Sequence, residues 1–412
     1  TTDFTLLNQI LQNDEYICEC NQIQINYKDN KLKIYNGIYK TVNYSVIIKC
    51  GNEQETFKKG NRGKKDSALI IYETIYYMSE TQRDDCYNQI IDKLQDGMAF
   101  KNHSIHNYDY MLIIDCDTDI EHNGLILLLE YIHTHNKCIA VCGQTIVKNT
   151  YENIITIVQS FEYFISHLLL KTYEHTLYNV FVLSGCFTLL KLKQDDKALI
   201  NMNILNKYTK EANSLYQKNL LELGEDRYLT ILIIQEYPNN NLAYISDAKC
   251  FTNVPNSFKI LLDQRRRWTN SLITCLMLLG LEPPRQSIIK HIKMYLLIIM
   301  ELFIIFILPL VIVIGFVNTI VSITVQGYSF LPVVITTIII LLNLIITILV
   351  VRIDMILKFV PFFLFLPIFS ILIPLYSIAN LDNLKWGLTR DEHEIINIHT
   401  PTNESITNFN EI

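Results

Sequence analysis

The sequence has no excess of positive charge: 35 Lys and Arg stand against 41 Asp and Glu, a formal net charge of −6. Without a basic surface there is no electrostatic footing for nucleic acid, which is excluded as a partner. A metal-binding cysteine pattern is also missing. Of the ten cysteines, Cys18 and Cys20 are two apart and the other eight stand singly in apolar runs, so reduced thiols in a cytosolic domain are expected rather than zinc or disulfides. No basic-then-apolar leader follows Thr1, which is not an initiator Met, and the chain is expected to begin inside a longer protein. There is no internal repeat or low-complexity linker, and residues 1–30 show no sustained period, reading as an irregular entry segment.

What is present falls into two compositions. Short β-like runs (Tyr44 to Lys49, Tyr110 to Asp115, Cys138 to Cys142, Val180 to Ser184) alternate with helical stretches such as Thr150 to Tyr178. Such alternation predicts an α/β head with a mostly parallel sheet covered by helices. From Met294 to Ile378 the chain is almost entirely apolar. Met294 to Val317, with Glu301 as its one acid, and Phe330 to Val351, with no charge, are each long enough to span a bilayer. Pro361, Pro367 and Pro374 interrupt a third stretch, Phe359 to Ile378, which is expected to be re-entrant or interfacial because proline removes amide donors. Lys290 and Lys293 before the first span, with Arg352 and Lys358 after the second, place the head on the cytosolic side of a multi-pass protein. The expected organisation is a head over 31–272, an interfacial helix region over 273–293, a membrane domain over 294–380 and a cytosolic tail over 381–412.

Three clusters carry chemistry. Tyr110 to Asp117 reads as a buried strand ending in two carboxylates, Asp115 and Asp117, which strand alternation places on one face. Strand carboxyl ends are where open α/β sheets bind ligands, and two carboxylates there suit a divalent ion on a nucleotide diphosphate; an ordinary capped turn has the same residues. Gly224-Glu225-Asp226-Arg227 precedes a helical run. Its acids complement a helix dipole, or Asp226 serves as a general base toward a sugar hydroxyl. Gln264-Arg265-Arg266-Arg267-Trp268 is the most specific signal: cations for a diphosphate leaving group beside an aromatic face for a sugar, or a positive-inside anchor before a membrane span.

Taken together, Lys49-Cys-Gly51, Gly60 to Ser67, Asp115-Cys-Asp117-Thr118, Gly185-Cys186-Phe187, Gly224 to Thr230, Gln264 to Trp268 and Trp386-Gly-Leu-Thr389-Arg390 resemble the ordered motifs of the chitin synthases, family 2 glycosyltransferases, over residues 31–392. The resemblance is closest to the fungal division whose last motif is Trp-Gly-x-Thr-Arg. It implies a GT-A-like head on transmembrane helices in a plasma membrane, serving cell wall biogenesis. The implied reaction is processive, inverting transfer of N-acetylglucosamine from UDP-N-acetylglucosamine to a growing chitin chain, with Mg²⁺ or Mn²⁺. It also implies roles: Lys64 and Asp66 as donor contacts, Asp115 and Asp117 at the diphosphate and metal, Asp226 as the catalytic base, and Glu225 beside it among the catalytic residues. Thr145 counts among the substrate contacts, and Gly185 and Cys186 lie beside the acceptor terminus. Gln264, Arg265 and Arg267 form the diphosphate clamp, Trp268 lines the channel entrance, and Trp386 and Thr389 belong to a closing loop. Membrane lipids and a second copy of the chain are the other expected partners. Gln144, Ser184 and Lys65 stand where the family usually has Glu, Pro and Arg, and the family's opening strands are not found before Leu32. A truncated or non-catalytic membrane subunit is therefore the alternative expectation, and a cellulose or hyaluronan synthase the rival within the class.

Overall fold

The computed structural model describes residues 16–325 and 353–384, apart from 29, 40–41, 56–59, 61–62 and 97–107, together with 331, 334 and 338. The chain divides into two compact units, Thr1–Met111 with Lys191–Thr209, and Leu112–Leu190 with Lys210–Ile412.

The first unit opens with three antiparallel strands, β1 (Tyr16–Tyr27), β2 (Asn30–Tyr39) and β3 (Val42–Lys49), in that order. β1 thus lies in the segment whose lack of period suggested irregular chain. A register shift between Glu19 and Ile23 breaks the phase of the strand, and a bulge of this kind hides the alternation of Ile23, Ile25 and Tyr27 from a pattern search. Ile25, Leu32 and Ile34 are buried against Ile70 of helix α1 (Gly63–Ser79) and Ile90 and Ile91 of α2 (Asp85–Asp96). Before α1, Gly60 has φ +76°, and a Cβ there would lie 2.1 Å from the Lys49 carbonyl oxygen, so the approach of this loop to β3 admits only glycine.

In the second unit a five-stranded sheet has the order β4-β7-β6-β8-β5, with β4 (Tyr110–Ile114), β5 (Asp119–Ile120), β6 (Cys138–Val147), β7 (Phe187–Lys191) and β8 (Asn241–Thr252). β6 runs parallel to β8 but antiparallel to β7, and β8 runs antiparallel to β5. The sheet is therefore mixed, not mostly parallel. The cause lies at Val180 to Ser184, which is buried irregular chain and not a strand. It leads into a turn closed by the Phe187 N–H donating to the Ser184 carbonyl at 3.2 Å, and β7 leaves that turn beside β6 in the opposite sense. Helix α3 (Gly124–Thr134) covers the sheet, and α4 (Ile154–Tyr163) continues through π-helical turns at Phe164–Leu170 into α5 (Lys171–Leu177).

Helices α6 (Leu215–Glu222), α7 (Glu225–Glu236) and α8 (Phe258–Leu281) complete the head side of this unit. The expected first span is divided: the helix breaks at Ile307, ahead of Pro309, into α9 (Ile288–Phe306) and α10 (Leu308–Thr324). The proline-containing stretch does the reverse of what proline density suggests. Pro361 and Pro367 lie inside α11 (Ile353–Pro367) and Pro374 starts α12 (Ile373–Ala379), joined by a π-helical turn at Ile368–Leu372. A π turn widens the helix locally and absorbs the missing amide bonds without breaking it. Leu357–Ala379, 23 residues of mean hydropathy 2.2, is among the described residues the one helix long and apolar enough to cross a membrane. Most of Phe330 to Val351 lies outside the described residues.

Candidate active site

β4 stops at Ile114, and Asp115 opens a turn in which the Thr118 N–H donates to the Asp115 carbonyl at 3.1 Å. Strand alternation therefore does not set the directions of the two carboxylates; Asp115 is half-buried and Asp117 exposed. Among the described residues no three His, Cys, Asp or Glu side chains converge as a metal cage. Two hard-oxygen carboxylates nevertheless fit Mg²⁺ or Mn²⁺, which are commonly held by one or two protein carboxylates while substrate phosphates and water complete the shell.

Asp226 sits in the first turn of α7, where one carboxylate oxygen accepts from the Gly185 N–H at 3.3 Å and the other from the Arg227 N–H at 2.8 Å. The Thr230 hydroxyl donates to the Asp226 carbonyl at 2.7 Å and accepts from the Leu183 N–H at 2.9 Å, so the turn before β7 and the start of α7 are tied twice. Cys186, next in that turn, lies with its sulfur 3.3 Å from the Thr145 hydroxyl. A hydrogen bond with Cys250 draws the Cys186 thiol below its ordinary pKa, against the opposing effects of burial and the Asp115 charge. Asp115, Thr145, Gly185, Cys186 and Asp226, scattered over 112 positions, thus form one neighbourhood.

The position of α7 is set by Gly224. A Cβ there would meet the Ser271 hydroxyl of α8 at 1.8 Å, so α7 and α8 pack backbone against side chain at this point. Arg227 bridges the same pair, donating from Nη1 to the Trp268 carbonyl at 2.9 Å and to Ser271 Oγ at 3.4 Å. Arg267 is buried; desolvation lowers its pKa, offset by the charges of Glu225 and Asp226.

Arg265 turns elsewhere. Its Nε and Nη2 donate to the two carboxylate oxygens of Glu162 at 2.8 and 2.6 Å, and its Nη1 donates to Gln264 Oε1 at 2.6 Å. The guanidinium lies 4.2 Å from the Trp268 ring centroid, while Trp268 packs on Val147, Tyr163 and Val254. Arg266, 1% exposed, donates to the Asn383 carbonyl, and Asn270 donates to the Ser377 carbonyl at 3.1 Å, so the chain after α12 is tied to α8.

In the first unit, Asp66 is paired with Lys49 at 2.8 Å, and Lys64 is half-buried in the first turn of α1. Trp386 and Thr389 lie outside the described residues. Sequence reasoning missed Glu162, whose signal was available: it is the one charged residue of α4, on a helix rich in apolar side chains, where an acid calls for a cation. It also missed Lys171. This buried ammonium donates to the Ser184 hydroxyl, a partner that the family's usual proline would not supply.

Comparisons with known proteins identify the family. A family model described as chitin synthase matches residues 20–409. Chitin synthase 1 of Encephalitozoon cuniculi is 33% identical over 392 residues, covering 85% of this chain and 47% of the relative. Chitin synthase 6 of Mycosarcoma maydis is 32% identical over 385 residues, covering 89% and 31%. Chitin synthase 4 of Pyricularia oryzae is 31% identical over 388 residues, covering 88% and 31%. The chain spans about half or less of the length of these relatives. With the family match running through every described site residue, the chain belongs to the chitin synthase family.

Proposed function

We propose that the chain is the catalytic part of a processive chitin synthase, adding N-acetylglucosamine from UDP-N-acetylglucosamine to the C4 hydroxyl at the end of a β-1,4 chain and passing the product across the membrane. The observation that carries this reading is the placement of Asp226 against the Gly185–Cys186 turn, with Arg267 within electrostatic reach. In the proposed reaction Asp226 takes the acceptor proton, the C4 oxygen displaces UDP from the α-linked donor with inversion, and Arg267 steadies the charge growing on the diphosphate. Glu225, 8% exposed beside Arg267, balances that cation.

A divalent ion held by Asp115 and Asp117 would neutralise the leaving diphosphate. Lys64 and Asp66 hold the nucleotide, Thr145 and Cys186 line the acceptor end, Gln264 and Trp268 support the sugar, and the segment bearing Trp386 and Thr389 closes over the donor. The head faces the cytosol and the helices cross the membrane more than once.

The test uses purified chain with labelled UDP-sugars. Asp226→Asn is expected to lower polymer synthesis by about 10²–10⁴-fold, the usual contribution of a general base, with UDP affinity within about threefold of the parent. Turnover within tenfold of the parent would remove Asp226 from the role of base, and incorporation of glucose in place of N-acetylglucosamine would move the chain to the cellulose-type reading.

A further inference from the structure

Glu162 belongs to none of the sequence motifs, yet it pairs with an arginine of the most specific one. It lies on α4, whose start is fixed by reciprocal hydrogen bonds between Asn153 and Thr156. Three further bonds strap that start to the segment leading into α8. Asn149 donates to the Val254 carbonyl at 2.9 Å, Gln159 to Pro255 at 2.6 Å and Asn153 to Asn256 at 2.9 Å. The two helices therefore present Glu162 and Arg265 to each other from fixed backbones.

The side chains then leave little freedom. Arg265 is 4% exposed, and a guanidinium this deep in the fold requires a charged partner. Glu162 supplies both carboxylate oxygens to it in a fork-to-fork pair, a geometry that fixes the plane of the guanidinium as well as its position. The Cζ of Arg265 lies over the Trp268 ring, 4.2 Å from the centroid, and its Nη1 donates to the Gln264 amide oxygen. Gln264 and Trp268 stand one helical turn apart on the same side of α8, both half-buried.

We propose that Glu162 is a positioning residue: through Arg265 it fixes the Trp268 indole and the Gln264 amide in the orientation that receives the acceptor sugar, without touching substrate itself. Arg265 on this account is a brace between two recognition side chains, its charge largely spent on Glu162. The inference rests on the proposed function, in which Trp268 and Gln264 contact the sugar. The ligand class is a β-1,4-linked N-acetylglucosamine oligosaccharide, recognised by its flat apolar ring face on the indole and by its polar groups at the amide.

The chain has two tryptophans, so Trp386→Phe leaves Trp268 as the only indole, and its fluorescence reports directly on the brace. In detergent-purified full chain carrying that background, Glu162→Gln removes the charge while keeping the shape. Acrylamide quenching of Trp268 is expected to rise, and the chitopentaose concentration giving half-maximal fluorescence change to rise by about tenfold, the scale of a lost cation–π support in a partly buried site. UDP affinity, measured separately, stays within about twofold. Glu162→Asp keeps the charge and is expected to fall between parent and Gln; it carries the test if the Gln variant melts at room temperature.

Unchanged quenching and unchanged chitopentaose binding in folded Glu162→Gln would overturn the proposal, as would a loss confined to UDP, which would return Arg265 to the diphosphate. If Glu162→Gln changes the quenching but the parent chain shows no fluorescence response to chitopentaose, the brace stands and the acceptor assignment of the proposed function falls. None of these readouts needs turnover, so an inactive parent leaves the test intact.

Discussion

Gly224→Ala is a substitution of one methyl group that is expected to disable the protein, and the structure gives both the size and the remedy. The new Cβ would lie 1.8 Å from Ser271 Oγ and 2.6 Å from Ser271 Cβ, so rotating the serine hydroxyl away does not clear the site. Ordinary carbon contact is near 3.5–4.0 Å, so α7 and α8 must separate by roughly 1 Å or more. The φ of Gly224 is −152°, outside the left-handed region that favours glycine, so the cost is chiefly steric. Overpacking of this kind costs about 1–3 kcal/mol. The functional loss is larger, because Asp226 rides on α7 and Arg267 and Trp268 on α8; a misplacement near 1 Å between reacting groups costs on the order of 100-fold in rate. Ser271→Gly removes both clashing atoms at the cost of about 0.5–1 kcal/mol in helix propensity. Arg227 keeps its bond to the Trp268 carbonyl in that variant. Thermal melts and polymer synthesis on the two single variants and the double form a complete cycle. Gly224→Ala is expected to lose most activity and the double variant to recover to within about tenfold of Ser271→Gly. Wild-type activity in Gly224→Ala, or a folded double variant as inactive as Gly224→Ala, would refute the reasoning.

Other outcomes follow from the same geometry. Asp117→Ala is expected to abolish the response of UDP binding to added Mg²⁺ or Mn²⁺, measured by calorimetry with and without chelator; equal metal response in the variant and parent would count against the site. Burial, reinforced by the charge of Glu301, pushes Glu174 up to about 8 from an ordinary 4.5. The folded chain then binds this proton more tightly than the unfolded chain, so stability is lost as pH rises from about 4.5 to about 8, and Glu174→Gln should flatten that part of a melting-temperature profile. Asn219 donates to the Leu381 carbonyl at 2.9 Å and Arg266 to that of Asn383. A single cysteine at Asn383 in sealed vesicles should therefore be labelled by an impermeant maleimide from the same side as one at Lys218, and labelling from the other side would overturn the cytosolic tail.

The candidate motifs were legible because their residue types are costly to place by chance: paired acids after an apolar run, a Gly-Glu-Asp-Arg start to a helix, three arginines beside a tryptophan. Partners across sequence were not legible. Nothing local to Gly185 announces that its amide faces Asp226, 41 positions away, and Glu162 finds Arg265 only once α4 and α8 are fixed by the 254–256 segment. The sheet was misread for a definite reason. Val180 to Ser184 has strand composition because it is buried, yet it makes no ladder, and the turn after it reverses the next strand. The proline-rich helix was misread because proline statistics describe α-helical turns, and this chain places a π turn between Pro367 and Pro374.

The arginine triplet shows most clearly what a motif leaves unsaid. In a strand, Arg265 and Arg267 would share a face; on α8 successive residues turn by about 100°, which sets those two nearly opposite while Gln264 and Trp268 come within roughly 40° of each other. The two side chains therefore leave the helix toward different neighbours. The structure divides them accordingly: Arg265 to Glu162, Arg266 to the Asn383 carbonyl after the last helix, and Arg267 buried within the electrostatic influence of Glu225 and Asp226. Three cations in a row thus reach three different parts of the unit: the helix that carries Glu162, the chain leaving α12, and the start of the helix that carries Asp226. Replacing Arg265 by lysine keeps the charge but loses the planar fork on Glu162, so this member of the triplet acts as a joint between α4 and α8.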